Sequence, residues 1–408
     1  MRKHTLSIFV CLILGALAPL SAQDLTITNA RIIGSNGTVI ERGSIVVRAG
    51  KIVSVAAGAP SAPAGRTIDA KGMTAMPGFI DGHKHVSSNP NEKVQMQSLL
   101  EAGYTTILAG GGTADNNLML RDHIDSGMIN GPRIIPSGTV SLRQTPAEAR
   151  AAVQALVAKG IKNTGEIGLT PEPAPPQAEI EVLKAIVDEA KKVGVTVNVH
   201  AVSSPAMIAA IDAGVTHLVH LPNKDFTTYE QAEKVAQTGS IVAGLIAFGA
   251  PNLDRLSEAP FVVFPKTNAP LFRDGKPWPE AIAGANRDAK GRATGTEAGY
   301  TIVNARRIWD ADPMHNTMSY STDQNAADLV VLEHELKSFS IVFSMADIFK
   351  IMGPNSARFV GMEDQIGTLE AGKLADIILI DGNPLLNIYE MLKTKVVVKG
   401  GVVVVDKR

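Results

Sequence analysis

Six side chains in this sequence have the types that a hydrolytic metal centre needs: His83, His85, Glu166, His200, His220 and Asp323. The first two form His83-Lys84-His85 at the end of the apolar run Met76-Pro77-Gly78-Phe79-Ile80-Asp81-Gly82. Successive strand side chains alternate between faces, so the two imidazoles point one way and Lys84 the other. Glu166 follows Thr164-Gly165, His200 closes Val197-Asn198-Val199, His220 closes His217-Leu218-Val219, and Asp323 closes Ser321-Thr322. Taken singly each is weak evidence: a strand-end histidine is commonly a hydrogen-bonded core residue, and an aspartate there is commonly a helix N-cap. Their recurrence at the ends of successive apolar runs favours a shared ion.

Divalent ions bind neutral imidazoles and carboxylates, and a catalytic site keeps one position open for water or substrate. Coordination lowers the pKa of water from about 16 to about 7, which supplies hydroxide at neutral pH. A carboxylate has two oxygens, so Glu166 can bridge two ions. Two dications bring about four positive charges, and Glu166, Asp323 and hydroxide offset about three. The remaining charge polarises a carbonyl. His217 stands three residues before His220 and reads as structural, facing away from it. His123, His315 and His334 have no ligand spacing.

The elements that must position these groups alternate between strand and helix patterns. Strands are expected near 76–82, 105–109, 133–137, 161–167, 195–200, 216–221, 240–247 and 317–322. Helices are expected at Ala147–Lys159, Gln177–Val193, Pro205–Ala213 and Glu230–Thr238. Eight strands alternating with helices imply an α/β fold, a (β/α)₈ TIM barrel, whose chemistry sits at the C-terminal strand ends. The segment 250–315, rich in Pro, Gly and charge, reads as an active-site loop or lid with a helix at Thr296–Trp309. Both chain ends are β-rich: Leu25–Ile33, Gly43–Arg48 and Lys51–Ala56 before the barrel, Ala375–Ile380 and Lys395–Val405 after it. These pair into a small β-sandwich domain of residues 24–75 and 366–408, which leaves 76–365 as the barrel.

A length of 408 residues, 45% hydrophobic, suits one large domain and a small one. The net charge of −1 advertises no nucleic-acid surface. Residues 1–23 read as a signal peptide: basic Arg2-Lys3, an apolar stretch Leu6–Leu20 too short for a comfortable membrane span, and small residues Ser21-Ala22. Cleavage would remove Arg2 and Lys3 and no acid, taking the charge from −1 to −3. A periplasmic or secreted protein, with no membrane attachment once cleaved, is the expectation. The only cysteine, Cys11, lies inside that segment, so thiolates play no part in any metal site. Arg143 and Lys224 are candidates for holding a substrate carboxylate. Tyr320 reads as a packing residue, and the 4% aromatic content argues against a large stacking pocket.

At these residues the chain resembles the metal-dependent amidohydrolase superfamily. Met76–His85 is similar to that family's strand-1 signature, and Gly367-Thr368-Leu369-Glu370-Ala371-Gly372-Lys373-Leu374-Ala375-Asp376-Ile377 to its C-terminal sandwich signature. The resemblance implies that His83, His85 and Asp323 hold one metal and that His200 and His220 hold a second. It also implies that Asp323 takes the proton of the attacking water and delivers it to the leaving nitrogen. Many members bridge the metals with a carboxylated lysine on strand 4. Here Glu166 occupies that strand, as in enamidase-like, imidazolonepropionase-like and N-acetylglucosamine-phosphate deacetylase-like members. Lys162, four residues upstream, is the rival. The implied cofactor is two divalent ions, zinc by default, with iron, manganese or cobalt compatible. The implied reaction is cleavage of a C–N bond in a small amide, lactam or cyclic imide by metal-bound hydroxide. A dipeptidase or N-acyl amino acid hydrolase is a close variant. A deaminase is disfavoured because Ala201-Val202-Ser203-Ser204, after His200, lacks an acid. A barrel without catalysis is disfavoured because all six ligands are retained. Homo-oligomers are common in the family, and no residue pattern here fixes a number.

Overall fold

The computed structural model describes residues 24–34, 37–246, 294–323 and 328–408. The expected signal peptide, the end of the strand at 240–247 and most of the segment 250–315 lie outside the described residues.

The two chain ends meet in one eight-stranded sheet. Strands β1 (Leu25–Ile33), β2 (Val39–Arg48), β3 (Lys51–Ala57), β4 (Arg66–Asp69) and β5 (Thr74–Pro77) come from the first end. Strands β14 (Ile377–Ile380), β15 (Thr394–Lys399) and β16 (Val402–Asp406) come from the second. The order is β16-β15-β14-β5-β1-β2-β3, with β4 parallel to β1. The antiparallel β5–β14 pair, from Ile377 opposite Pro77 to Ile380 opposite Thr74, joins the ends. β-Branched side chains such as Ile27, Ile45, Ile68, Val396 and Val398 make this sheet's own core.

The apolar run expected as one strand over 76–82 is two. Pro77 ends β5, and β6 (Phe79–Lys84) starts a separate parallel sheet. Gly78 is the joint between them. Its N–H donates to the Asp376 carbonyl at 3.0 Å, and a Cβ there would overlap the Thr105 side chain. A chain passing this close to a neighbour has room only for glycine.

The parallel strands are β6, β7 (Tyr104–Ala109) and β8 (Arg133–Ile135) in one sheet. The second sheet runs β13-β12-β11-β10-β9, from β9 (Ile167–Gly168), β10 (Asn198–His200), β11 (His217–Val219), β12 (Ile241–Gly244) and β13 (Met318–Tyr320). Isolated parallel bridges join the two sheets at both edges, Lys84 to Asp323 and Gly138 to Thr164. A shared cluster packs Ile80 and Leu108 of the first sheet with Val219 and Ala243 of the second, against Phe359. All eight expected strands are present, and all but β7 are shorter than the apolar runs that announced them. The strand expected at 161–167 is reduced most: only Ile167–Gly168 is a strand, with single bridges at Asn163 and Thr164. The Thr164 hydroxyl accepts the Asn198 N–H at 2.9 Å, so a side chain replaces part of the ladder.

Helices fall where expected, within two residues. Helix Pro146–Ala158 starts one residue earlier than expected because Thr145 and Glu148 close a capping box. Helix Gln177–Val193 has the expected ends and stops at Gly194, which takes a left-handed φ of 69°. Helix Tyr229–Gln237 is capped by Thr228 and Gln231 in the same manner. Helix Thr294–Asp310 precedes β13, near the Thr296–Trp309 expectation. Among the described residues no helix is long and apolar enough to cross a membrane.

Candidate metal centre

The six sequence-selected ligands converge. His83, His85, Glu166 and Asp323 bring their donor atoms within 4.8 Å of one another, and so do Glu166, His200 and His220. Glu166 belongs to both groups. Its Oε1 lies 3.1 Å from His85 Nε2. Its Oε2 lies 2.8 Å from His200 Nδ1, 3.5 Å from His220 Nε2 and 3.6 Å from His83 Nε2. Asp323 Oδ1 lies 2.9 Å from His85 Nε2 and 3.3 Å from His83 Nε2.

These spacings suit a shared cation. Zinc ligands at about 2.1 Å in a tetrahedron stand roughly 3.4 Å apart, and the six distances bracket that value. His83 Nε2 is buried and, among the described residues, has no hydrogen-bond partner, although two carboxylate oxygens face it. A nitrogen so placed fits a lone pair directed at an ion. Burial opposes ionisation of both carboxylates, yet hydrogen bonds from the imidazoles hold Glu166 and Asp323 well below the usual carboxylate range. Hydrogen bonds to Asp323 and then Glu166 push His85 up to about 10, which shows how strongly the two facing carboxylates favour positive charge at this position. Burial pushes His220 down to about 4, which leaves it neutral, as a ligand must be.

The local backbone explains how short strands aim these groups. His83 lies in β6 and His85 just past it. His200 ends β10. His220 and Asp323 stand beyond β11 and β13, not at their ends, and both take left-handed backbone, φ 70° and 59°. On β11, His217 packs on Phe359 and Val219 joins the same cluster. Strict alternation would turn residue 220 away from them, and the left-handed turn redirects it. His and Asp are among the non-glycine residues that enter this region most readily. Glu166 precedes β9, held by its N–H to the Gly110 carbonyl at 3.1 Å.

The rival and secondary candidates are placed elsewhere. Lys162 is exposed and its carbonyl accepts the Thr196 N–H, so it does not join the cluster. Arg143 is exposed between β8 and helix Pro146–Ala158, where its N–H donates to Ser141 Oγ. Lys224 is half-buried in the segment after β11. Burial pushes the His217 imidazole down to about 4. His123 pairs with Glu92 at 2.6 Å and His315 stacks on Trp309 at 4.6 Å. Tyr320 is buried and shares a 2.6 Å hydrogen bond with the Tyr104 hydroxyl.

Two features escaped the sequence reading. A Cβ on Gly110 would overlap the His83 ring, and one on Gly111 would reach His85 Nδ1 at 2.5 Å. The run Gly110-Gly111-Gly112 directly after β7 was the available signal. The second is Asp81, buried, whose Oδ1 accepts N–H groups from His83 at 3.1 Å and Thr322 at 3.2 Å.

Comparison with known proteins follows the same outline. The Amidohydrolase family matches residues 74–404. A candidate prolidase from Bifidobacterium longum superposes with a TM-score of 0.76 at 24% identity, over 95% of this chain and 97% of that one. A Xaa-Pro dipeptidase with bound methionine in its active site gives 0.73 at 21%, over 94% and 100%. At such identities the likeness speaks for the fold. An adenine deaminase of Escherichia coli O1:K1 / APEC is 40% identical over 90 residues, 22% of this chain. That stretch spans only 15% of the curated enzyme's length.

Proposed function

The chain belongs to the amidohydrolase family, and from that premise we propose that it is a metal-dependent hydrolase that breaks a C–N bond in a small amide, lactam or cyclic imide. The observation that carries this reading is Glu166 standing in both ligand groups, one oxygen toward His85 and the other toward His200. In this reading the eight parallel strands close as a (β/α)₈ barrel over 76–365. Residues 24–75 and 366–408 form the companion β-domain. The edge bridges Lys84–Asp323 and Gly138–Thr164 support closure.

His83, His85 and Asp323 would hold one divalent ion and His200 and His220 a second, with Glu166 available to both. Zinc is the first choice. When bound, such ions polarise the scissile carbonyl and make water nucleophilic at neutral pH. The protein's own part is positional and protolytic. Asp323 Oδ1 accepts the proton of the attacking water and returns it to the leaving nitrogen as the C–N bond breaks. Burial opposes ionisation of its carboxyl, yet hydrogen bonds from the imidazoles keep it ionised and therefore free to accept a proton. Arg143 and Lys224 are proposed to meet an anionic part of the substrate. Arg143→Ala then raises KM for an anionic substrate and leaves metal content intact. Glu166 in place of a carboxylated lysine supports an enamidase-like relative. Export to the periplasm, from residues 1–23, belongs to the same proposal.

The test is metal content per chain by mass spectrometry on protein purified without chelators, followed by a screen of amides, lactams, cyclic imides and Xaa-Pro dipeptides. About two ions per chain with hydrolysis of one class is the expected result. No metal, and no gain on adding zinc or manganese, would overturn it. Ammonia released from adenine would replace it with a deaminase, the activity named for the relative matched over 90 residues.

A further inference from the structure

Behind the candidate ligands lies a buried polar cluster that no ligand role uses. Lys84, between the two histidines, is 1% exposed, and its ammonium donates to Thr322 Oγ1 at 3.1 Å. Thr322 is also buried, and its hydroxyl donates to Asp81 Oδ2 at 2.6 Å. The other Asp81 oxygen takes the N–H groups of His83 and Thr322. The backbone completes the link: Asp323 N–H donates to the His83 carbonyl at 2.8 Å, and His85 N–H to the Asp323 carbonyl at 3.0 Å. Side chains of Asp81, Lys84 and Thr322 and the backbone of His83, His85 and Asp323 all bond across this junction. The junction joins β6 to the chain just past β13, where the parallel ladder is a single bridge.

We infer that the Lys84–Thr322–Asp81 chain is a brace that sets Asp323 against His83 and His85, with the Thr322 hydroxyl as its central positioning group. The physical reason is the thin ladder. One bridge cannot fix a residue in left-handed backbone, whereas an acceptor and a donor on one side chain fix both its position and its rotation. The Thr322 hydroxyl thus accepts from the Lys84 amine at 3.1 Å while it donates to the Asp81 carboxyl at 2.6 Å, so both of its roles are filled. The inference rests on the proposed metal centre, because positioning matters only if Asp323 and the two histidines share an ion.

The test uses full-length protein stripped of metal and titrated with cobalt(II) alone, read by chelator competition and by visible absorption. Thr322→Val keeps the shape and removes the hydroxyl. Thr322→Ser keeps the hydroxyl and removes a methyl. The expected result is cobalt binding at one site weakened about tenfold or more in the valine variant, with an altered spectrum, and near wild-type behaviour in the serine variant. A packing role reverses that order, since valine fills the space and serine does not. Thr322→Ala carries the valine prediction should the valine variant not fold. Wild-type binding in the hydroxyl-free variant, or an equal loss in Thr322→Ser, overturns the brace. Absence of cobalt binding by wild type instead overturns the metal-centre reading.

Discussion

At the scale of single residues, Glu166 and Asp323 have different parts in the proposed centre. Glu166 faces four imidazoles and belongs to both ligand groups. Glu166→Ala should therefore lower bound metal from about two ions per chain to one or fewer, measured by mass spectrometry. Asp323→Asn keeps the shape and removes the proposed base. Turnover of the substrate found in the screen should fall by about 10²–10⁴-fold, more than metal occupancy falls. His217 predicts something different. Its folded value of about 4 lies below the ordinary 6.5 because the ring is buried against Phe359. Between those two values the unfolded chain takes up a proton that the folded chain refuses, so stability is complete above pH 6.5 and falls toward pH 4. The loss amounts to about 3 kcal/mol. Melting temperatures measured from pH 7 to 4 should fall less steeply for His217→Gln than for wild type, and equal slopes would exclude His217 as the cause. The six candidate ligands were selected from residue type and spacing, and the structure brings them together. Lys84 was legible only as pointing away, since its partner Thr322 is 238 residues distant.

At the scale of elements, short strands and tight turns do the aiming. Strands of two to six residues carry the site, and the groups just beyond them are oriented by left-handed turns at His220 and Asp323. Gly110 and Gly111 complete this from the neighbouring strand, because their missing side chains leave room for the His83 and His85 rings. Gly110→Ala should cost metal affinity by at least about tenfold. Gly168→Ala, whose Cβ meets no described atom within 4 Å, should leave affinity unchanged. Equal affinity for both variants in a zinc competition assay would show that the rings can move aside. The periodic segments were read correctly as strand or helix, because alternation and the 3.6-residue repeat are local. The split at Gly78 was not legible, since nothing local tells an apolar run that its two halves join different sheets. The shrinkage of the strand near 161–167 was not legible either, since it depends on Thr164 bonding Asn198 from another strand.

At the scale of the whole molecule, the two signatures meet physically. Asp376, in the C-terminal signature, accepts Arg133 Nη1 at 2.7 Å and the Gly400 N–H at 2.7 Å, and its carbonyl takes the Gly78 N–H. The buried carboxylate of Asp376 thus ties the eight-stranded sheet to β8, and its backbone carbonyl ties it to the start of β6. Asp376→Asn should destabilise the fold by roughly 2 kcal/mol, seen as a melting temperature lower by a few degrees, while metal per chain stays as in wild type. Loss of metal in this variant would mean that the β-domain holds the centre as well as the fold. The sequence by itself determined the α/β class, the pairing of the two β-rich ends and the six ligand candidates, because each follows from local pattern and donor chemistry. Only the tertiary structure decided that Glu166 and not Lys162 reaches the cluster, that Gly110 and Gly111 make room for it, and that Asp81, Lys84 and Thr322 lock its edges together. Those outcomes depend on contacts between residues up to 241 positions apart. Which such residues meet is set by the packing of the two sheets around a common core, and no local pattern encodes that.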